Sequence, residues 1–120
     1  MSLRIIATGG TFDKHYNPLD GSLEFGDSVL PEALTRARLA EPCEFQPLMA
    51  IDSLDMNDHH RQQIVSACQS ASENRLVIVH GTDTMRETAA VIAAARLEKT
   101  IVLTGAMIPY RIDGSDAMFN

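Results

Sequence analysis

The sequence has 120 residues, of which 45% are hydrophobic and 22% are charged, and ten Lys and Arg against sixteen Asp and Glu give a net charge of −6. A chain of this length and composition buries enough apolar surface to fold as one domain, which excludes a disordered segment. Its acidic charge, without a cluster of Lys or Arg, disfavours nucleic acid and membrane surfaces as partners and favours a small molecule or another protein.

Apolar segments and helical periodicity predict the main elements in chain order. Four short apolar segments predict β-strands, at residues 3–7, 45–51, 76–79 and 101–103. They are apolar throughout rather than alternating, which is typical of parallel strands that are covered on both faces. Three helices are predicted, at residues 31–39, 57–73 and 83–97. This order predicts an α/β fold over residues 1–120 with a doubly wound, mostly parallel sheet in three layers, of the Rossmann or flavodoxin type.

The segment between the first strand and the first helix has a different character. Residues 12–29 contain three turn-forming dipeptides, Asn-Pro, Asp-Gly and Gly-Asp, around a short apolar stretch at residues 23–25. This pattern predicts a hairpin or lid. Because the segment has little apolar surface to bury, we expect residues 12–27 to be the most mobile part of the chain.

Small polar residues follow each of the four predicted strands. They are Thr-Gly-Gly-Thr at 8–11, Asp-Ser-Leu-Asp-Met-Asn at 52–57, His-Gly-Thr-Asp-Thr at 80–84 and Thr-Gly-Ala-Met at 104–107. Parallel strands bring their carboxyl ends to one edge of the sheet, where ligands bind in open α/β folds. The sequence therefore predicts one site built from these four loops.

Several of these residues also have purely structural explanations. Thr84 and Glu87 have the spacing of a capping box at the start of the third helix. Ser53 and its acidic neighbours are equally suited to opening the second helix. His80, at the end of a strand, is better explained as a buried, hydrogen-bonded histidine than as a base.

The motifs of several other kinds of site are absent from the sequence. No GxGxxG and no P-loop lysine follow a strand, so a nucleotide-binding domain is the weakest of the alternatives. The four histidines have no spacing typical of metal ligands, and no metal site is predicted. Without a GxSxG elbow, a Ser-His-Asp hydrolase is unsupported.

Three segments taken together resemble the bacterial-type L-asparaginase and glutaminase family. They are Thr-Gly-Gly-Thr at 8–11, His-Gly-Thr-Asp-Thr-Met at 80–85 and Leu-Thr-Gly-Ala-Met-Ile-Pro at 103–109. Residues 53–57 and 116–120 resemble two further family segments, so the resemblance spans almost the whole chain. It implies that residues 1–120 are the N-terminal α/β domain of a short or truncated member, and we expect this domain to be incomplete at its C-terminus.

The resemblance also implies an activity and roles for particular residues. It implies an amidohydrolase that cleaves a side-chain amide such as that of L-asparagine, without a metal or organic cofactor. Thr11 is implied as the nucleophile, assisted by Tyr16. Thr82 would help to activate the attacking group or water, and Asp83 would bind the α-amino group of the substrate. The implied substrate-binding residues are Gly10, Ser53 (for the α-carboxylate), Asp55, Gly81 and Ala106.

This chemistry agrees with what the residue types can do. A threonine hydroxyl is a poor nucleophile until a neighbour takes its proton, and Gly-rich strand ends supply backbone donors for a developing oxyanion. The family pairs its Thr-Asp with a lysine that lies beyond the Gly-Ala-Met-x-Pro segment, whereas the only lysines here are Lys14 and Lys99. The main alternative is therefore a non-catalytic module that binds an amino acid or dicarboxylate at the same loops.

Cysteine usage and apolar segment length bear on the compartment. Cys43 and Cys68 form no CxxC pair, which favours a reducing compartment over a disulfide scaffold. No apolar stretch has the length of a signal or membrane segment, so we expect a cytoplasmic protein. A resemblance to only one domain of a larger fold also leads us to expect a homo-oligomer.

Overall fold

Four parallel β-strands form the central sheet of the structure, a computed structural model that describes residues 2–120. They are β1 (Leu3–Gly9), β4 (Cys43–Ile51), β5 (Arg75–Val79) and β6 (Thr100–Thr104). Two further strands, β2 (Lys14–Asn17) and β3 (Ser22–Phe25), pair as an antiparallel hairpin. The helices are α1 (Leu30–Ala37), α2 (Asp58–Ser70) and α3 (Met85–Ala94).

The central strands are ordered β4-β1-β5-β6, and all three pairings are parallel. One apolar cluster packs α1 against the sheet and includes Ile5 and Val79. A second cluster packs α2 and α3 against the other face and includes Ile6 and Ile78. Successive residues of β1 and β5 thus point to opposite cores, which is why these strands are apolar throughout. The predicted three-layer α/β fold is confirmed.

The edge strands correct the expectation that every strand is covered on both faces. β4 has exposed residues along its length and contains Pro47, which has no N–H to donate and is tolerated at a sheet edge. On β6, Val102 is 51% exposed, although it lies on the face of the sheet where α1 covers β1 and β5. Only the central β1 and β5 have the two-sided burial that their composition predicts.

All three predicted helices exist, but each is shorter than its apolar pattern predicts. Arg38 and Arg96 follow the ends of α1 and α3 with left-handed φ angles of 50° and 51°. Neither residue is a glycine or asparagine, so the sequence carried no stop signal there. A capping box begins α2, where the side chain of Asn57 accepts from His60 N and the His60 ring accepts from Asn57 N.

The predicted hairpin is present, and its base is anchored to the body of the domain. The buried Asp13 carboxylate accepts a hydrogen bond of 2.7 Å from the backbone of Val29, which closes the segment. Lys14 Nζ lies 2.7 Å from Asp52 Oδ2 and ties the hairpin to the loop after β4. The mobility expected of this segment stays a prediction. In the part of the chain from residue 2 onward, no helix is long and apolar enough to cross a membrane.

Candidate active site

The site lies at the point where the winding of the sheet reverses. From β1 the chain passes through α1 to β4 on one side, and then through α2 to β5 on the other. The loops after β1 and β5 therefore lead to opposite sides of the sheet at its carboxyl edge, and the region where they part, here called the crevice, is where open α/β sheets bind ligands. Thr11 follows one of these strands, and Thr82 and Asp83 follow the other.

Three glycines allow the four loops to touch. A Cβ atom on Gly10 would lie 2.5 Å from the backbone nitrogen of Gly81, and one on Gly81 would lie 2.6 Å from Ser53 Oγ. A Cβ on Gly105 would collide with the carbonyl oxygen of His80. The backbone of Gly10 has φ 79° and ψ 179°, a region that essentially only glycine adopts. The convergence predicted from the sequence is thus a direct main-chain contact.

Ser53 and Thr84 join the loops after β4 and β5. Ser53 is fully buried, and its Oγ accepts a hydrogen bond of 3.4 Å from Thr84 N. The hydroxyl of Thr84 donates to the Ser53 carbonyl at 2.8 Å, so it does not cap α3, and the predicted capping box with Glu87 is wrong. Ser53 also does not open α2, because residues 53–55 form a separate turn capped by Asp52. Its contact with a substrate carboxylate stays a prediction.

The predicted catalytic side chains lie on the rim of the crevice. Thr11 is half-buried, whereas Thr82 and Asp83 are exposed. Among residues 2–120, none of these three side chains hydrogen-bonds to another residue. Tyr16 lies 55% exposed on the hairpin, and Asp55 is exposed after β4. The structure brings Gly10, Gly81 and Ser53 together, but no hydrogen bond in the described residues ties Tyr16 or Asp55 to them.

The loop after β6 is shaped by a carboxylate whose role the sequence analysis missed. Asp116 accepts hydrogen bonds from the backbone nitrogens of Met107 and Ile108, each at 3.1 Å. These hydrogen bonds hold the pKa of Asp116 below its ordinary value, and the bond from Met107 has the largest effect. The side-chain amide of Asn120 donates to Asp116 and to the Gly105 carbonyl. Ala106, a predicted substrate-binding residue, is buried in the core on the α1 side.

Both lysines of the chain already have partners. Lys14 pairs with Asp52, and this hydrogen bond is the main reason why the pKa of the Asp52 carboxyl lies below its ordinary value. Lys99 donates to the carbonyls of Cys68 and Ala71, at the edge of the sheet where β6 begins and opposite the crevice. In the described part of the chain, no group of three or more His, Cys, Asp or Glu side chains is arranged to hold a metal ion.

His80 is a buried, hydrogen-bonded histidine, as the sequence predicted. Its Nδ1 lies 2.6 Å from the Gly81 carbonyl and its Nε2 lies 2.7 Å from Thr88 Oγ1. The pKa of His80 lies below its ordinary value of 6.5, mainly because the ring is buried. The hydrogen bond to Gly81 opposes this shift, whereas the charge of Arg61 adds to it. The ring is therefore a neutral support for the Gly81 turn.

The fold and the crevice define a class: an α/β domain with threonine and aspartate side chains beside a glycine contact at the switch point of its sheet. The family profile "Asparaginase, N-terminal" matches residues 2–120. The chain belongs to the asparaginase family.

Individual relatives support this assignment. The chain is 32% identical to "Probable L-asparaginase periplasmic" of Haemophilus influenzae, across 99% of this chain and 36% of that protein. It is also 32% identical to L-asparaginase 1 of Escherichia coli K12, across 99% of this chain and 38% of that protein. The thermostable L-asparaginase from Thermococcus kodakarensis superposes with a TM-score of 0.84 at 27% identity, covering 98% of this chain and 38% of that structure. The chain thus spans little more than a third of the length of these relatives.

The Gly10 contact makes a prediction about stability. Gly10→Ala places a Cβ against the Gly81 backbone, whereas Gly21→Ala at φ 75° has no atom within 4 Å and meets only backbone strain. We expect Gly10→Ala to lower the free energy of unfolding by about 1 to 3 kcal/mol more than Gly21→Ala, as overpacked sites do. Urea denaturation of both variants measures the difference. Equal losses would show that the loops separate easily at Gly10.

His80 predicts a pH dependence of stability. Its pKa is lower in the folded than in the unfolded chain, so its contribution is fully present above the unfolded value near 6.5 and is lost as the pH falls through the folded value. We expect the free energy of unfolding to fall, as the pH is lowered from the unfolded value near 6.5 through the folded value, more steeply in the wild type than in His80→Gln. His59→Gln, which changes an exposed ring, is the control and should keep the wild-type slope. A slope unchanged in His80→Gln would contradict the assignment.

Proposed function

We propose that this chain is an amidohydrolase domain that hydrolyses the side-chain amide of L-asparagine or a close analogue, with Thr11 as the nucleophile. The observation that carries the proposal is the main-chain contact between Gly10 and Gly81. It holds the residues that follow them, Thr11 on one loop and Thr82 and Asp83 on the other, at the same edge of the sheet. Membership of the asparaginase family supports the same reaction.

The reaction would proceed through an ester on Thr11. The hydroxyl oxygen attacks the amide carbon and gives up its proton, the carbon–nitrogen bond breaks, and the nitrogen leaves as ammonia with that proton. Water then attacks the ester carbon, which releases aspartate and restores the hydroxyl. Thr82 would help to activate the attacking group or water. Within residues 2–120 no protein group forms a hydrogen bond with the hydroxyl of Thr11 or of Thr82, so both hydroxyls are available to interact with substrate.

Asp83 would bind the α-ammonium group of the substrate. Its carboxylate is exposed at the rim and makes no hydrogen bond within the described residues, so it keeps its full capacity for a cationic ligand. A charge-assisted hydrogen bond of this kind is roughly twice as strong as a neutral one. This role gives specificity for an amino acid rather than for a simple amide.

One observation favours a second candidate function, the binding of an amino acid or dicarboxylate without turnover. Lys99 lies at the opposite edge of the sheet and Lys14 is paired with Asp52. A proton acceptor for the Thr82-Asp83 pair is then missing from the described residues, and general base assistance is typically worth about 10² to 10⁴ in rate. Slow turnover is therefore expected of the 120-residue chain itself.

The nucleophile is tested by Thr11→Val, which keeps the shape of the side chain and removes its hydroxyl. We expect ammonia release from L-asparagine to fall to background while aspartate binding, measured by calorimetry, stays within about twofold, because the hydroxyl acts only in the reaction. Thr100→Val, an exposed threonine at the opposite edge, is the matched control and should keep the wild-type rate. Undiminished ammonia release by Thr11→Val would exclude Thr11 as the nucleophile. A wild type that binds aspartate but releases no ammonia above background would favour the binding module for residues 1–120.

The ammonium-binding role is tested by Asp83→Asn. We expect the affinity for aspartate to weaken by about 1 to 3 kcal/mol, because a charge-assisted hydrogen bond becomes a neutral one. Succinate, which lacks the α-ammonium group, should bind Asp83→Asn at least as tightly as the wild type, because the substitution removes a like charge. Asp113→Asn, another exposed carboxylate, is the control and should leave both affinities unchanged. Equal affinity of Asp83→Asn and wild type for aspartate would leave Asp83 without a role in binding.

A further inference from the structure

Three buried polar side chains form a chain of hydrogen bonds behind the Gly81 turn. Arg61 on α2 donates from Nε to Thr88 Oγ1 on α3 at 3.2 Å. Thr88 Oγ1 lies 2.7 Å from His80 Nε2, and His80 Nδ1 lies 2.6 Å from the Gly81 carbonyl oxygen. Thr88 and His80 are fully buried, and Arg61 is 8% exposed. These three side chains are buried, and through His80 they contact the loop that carries Thr82 and Asp83.

The direction of each hydrogen bond follows from what the groups can donate. A carbonyl only accepts, so Nδ1 of His80 carries the hydrogen toward Gly81, and in the neutral ring Nε2 accepts. Arg61 only donates, and it occupies one lone pair of Thr88 Oγ1. The single hydroxyl hydrogen of Thr88 has two acceptors in reach, His80 Nε2 at 2.7 Å and Met56 Sδ at 3.7 Å. The ring nitrogen is the closer and stronger acceptor, so all four groups are satisfied in one arrangement.

The arrangement matters because of the residue it ends on. Ser53 leaves no room for a side chain at position 81, and Gly81 also packs against Gly10. A glycine, however, has less intrinsic preference for one backbone conformation than any other residue. Something other than its own side chain must fix the peptide that leads to Thr82. The hydrogen bond from His80 does so at the Gly81 carbonyl, but a ring held at one nitrogen can still tilt about that bond. The hydroxyl of Thr88 supplies the second point that fixes the ring plane.

We propose that Arg61 and Thr88 are positioning residues that fix the plane and hydrogen-bonding direction of His80, and through it the Gly81 carbonyl and the peptide leading to Thr82 and Asp83. The effect on substrate rests on the proposed function, whereas the effect on His80 does not. Apolar side chains would fill the same space without burying a guanidinium, whose desolvation is costly and whose ion pair with the exposed Asp58 spans 3.9 Å. The three polar side chains fix the orientation of the His80 ring through hydrogen bonds, which apolar packing alone does not do.

The experiment compares Thr88→Val with Thr88→Ser in the full chain. Two-bond ¹H–¹⁵N spectra report which ring nitrogen of His80 is protonated, and the exchange rate of its Nδ1 hydrogen with solvent reports how firmly the ring is held. We expect a protonated Nδ1 and a bare Nε2 in the wild type and in Thr88→Ser. In Thr88→Val the Nδ1 hydrogen should exchange about tenfold faster and aspartate affinity should fall about tenfold, which corresponds to the loss of one hydrogen bond.

Ile92→Val is the matched control, because it trims a buried side chain on the same helix that takes no part in these hydrogen bonds. It destabilises the core and should leave both the Nδ1 exchange rate and the aspartate affinity near the wild-type values. Equal acceleration in Ile92→Val and Thr88→Val would overturn the proposal, as would a wild-type ring protonated at Nε2. If the His80 spectra behave as expected while no form binds aspartate, the positioning role stands and the proposed function fails.

Discussion

The structure depends on a contact that only residues without a Cβ atom can make. Gly10 and Gly81 follow the two central strands, and their main chains touch at the switch point of the sheet. This contact sets the separation of the loops that carry Thr11 and Thr82. The other loops are fitted to it, since Ser53 packs on Gly81 and Gly105 packs on the carbonyl of His80. A Cβ atom on Gly10 would press against the Gly81 backbone and force apart the loops that carry Thr11 and Thr82, whereas one on Gly81 would press against Ser53.

The sequence predicted the features that depend on local pattern and general topology. The apolar stretches at residues 3–7 and 76–79 lie in the central strands, and polar residues after parallel strands converge because the carboxyl ends of such strands share an edge. The ends of α1 and α3 were missed because Arg38 and Arg96 adopt the left-handed conformation there, which no residue preference indicates. The capping box at Thr84 failed for another reason: its hydroxyl has a partner in Ser53, 31 positions away in the sequence.

The residues that sequence reasoning missed act through tertiary contacts. Arg61, Thr88 and Asp116 are ordinary helix and loop residues by composition, and no spacing relates them to the glycine loops. Asp116 holds the loop after β6 by accepting from two backbone nitrogens, and Arg61 reaches Thr88 across the contact between α2 and α3. Such roles are set by where packed elements place two side chains. The part of the site that was predictable is the part carried by adjacent residues, and the roles proposed for Thr11 and Asp83 came from the resemblance to a family.

The crevice separates residues that build the site from residues that are available to act in it. Ser53, Thr84 and His80 are wholly or partly buried, and their hydrogen bonds go to other parts of the protein. Thr11 and Asp83 stand on the rim with no protein partner within residues 2–120, so they contribute little to folding and their hydrogen-bonding capacity remains for a ligand. A buried polar group without a partner would be costly, and an exposed one is not. The fold can therefore keep candidate reactive groups unpaired only at its surface, and it does so beside the main-chain contact between Gly10 and Gly81.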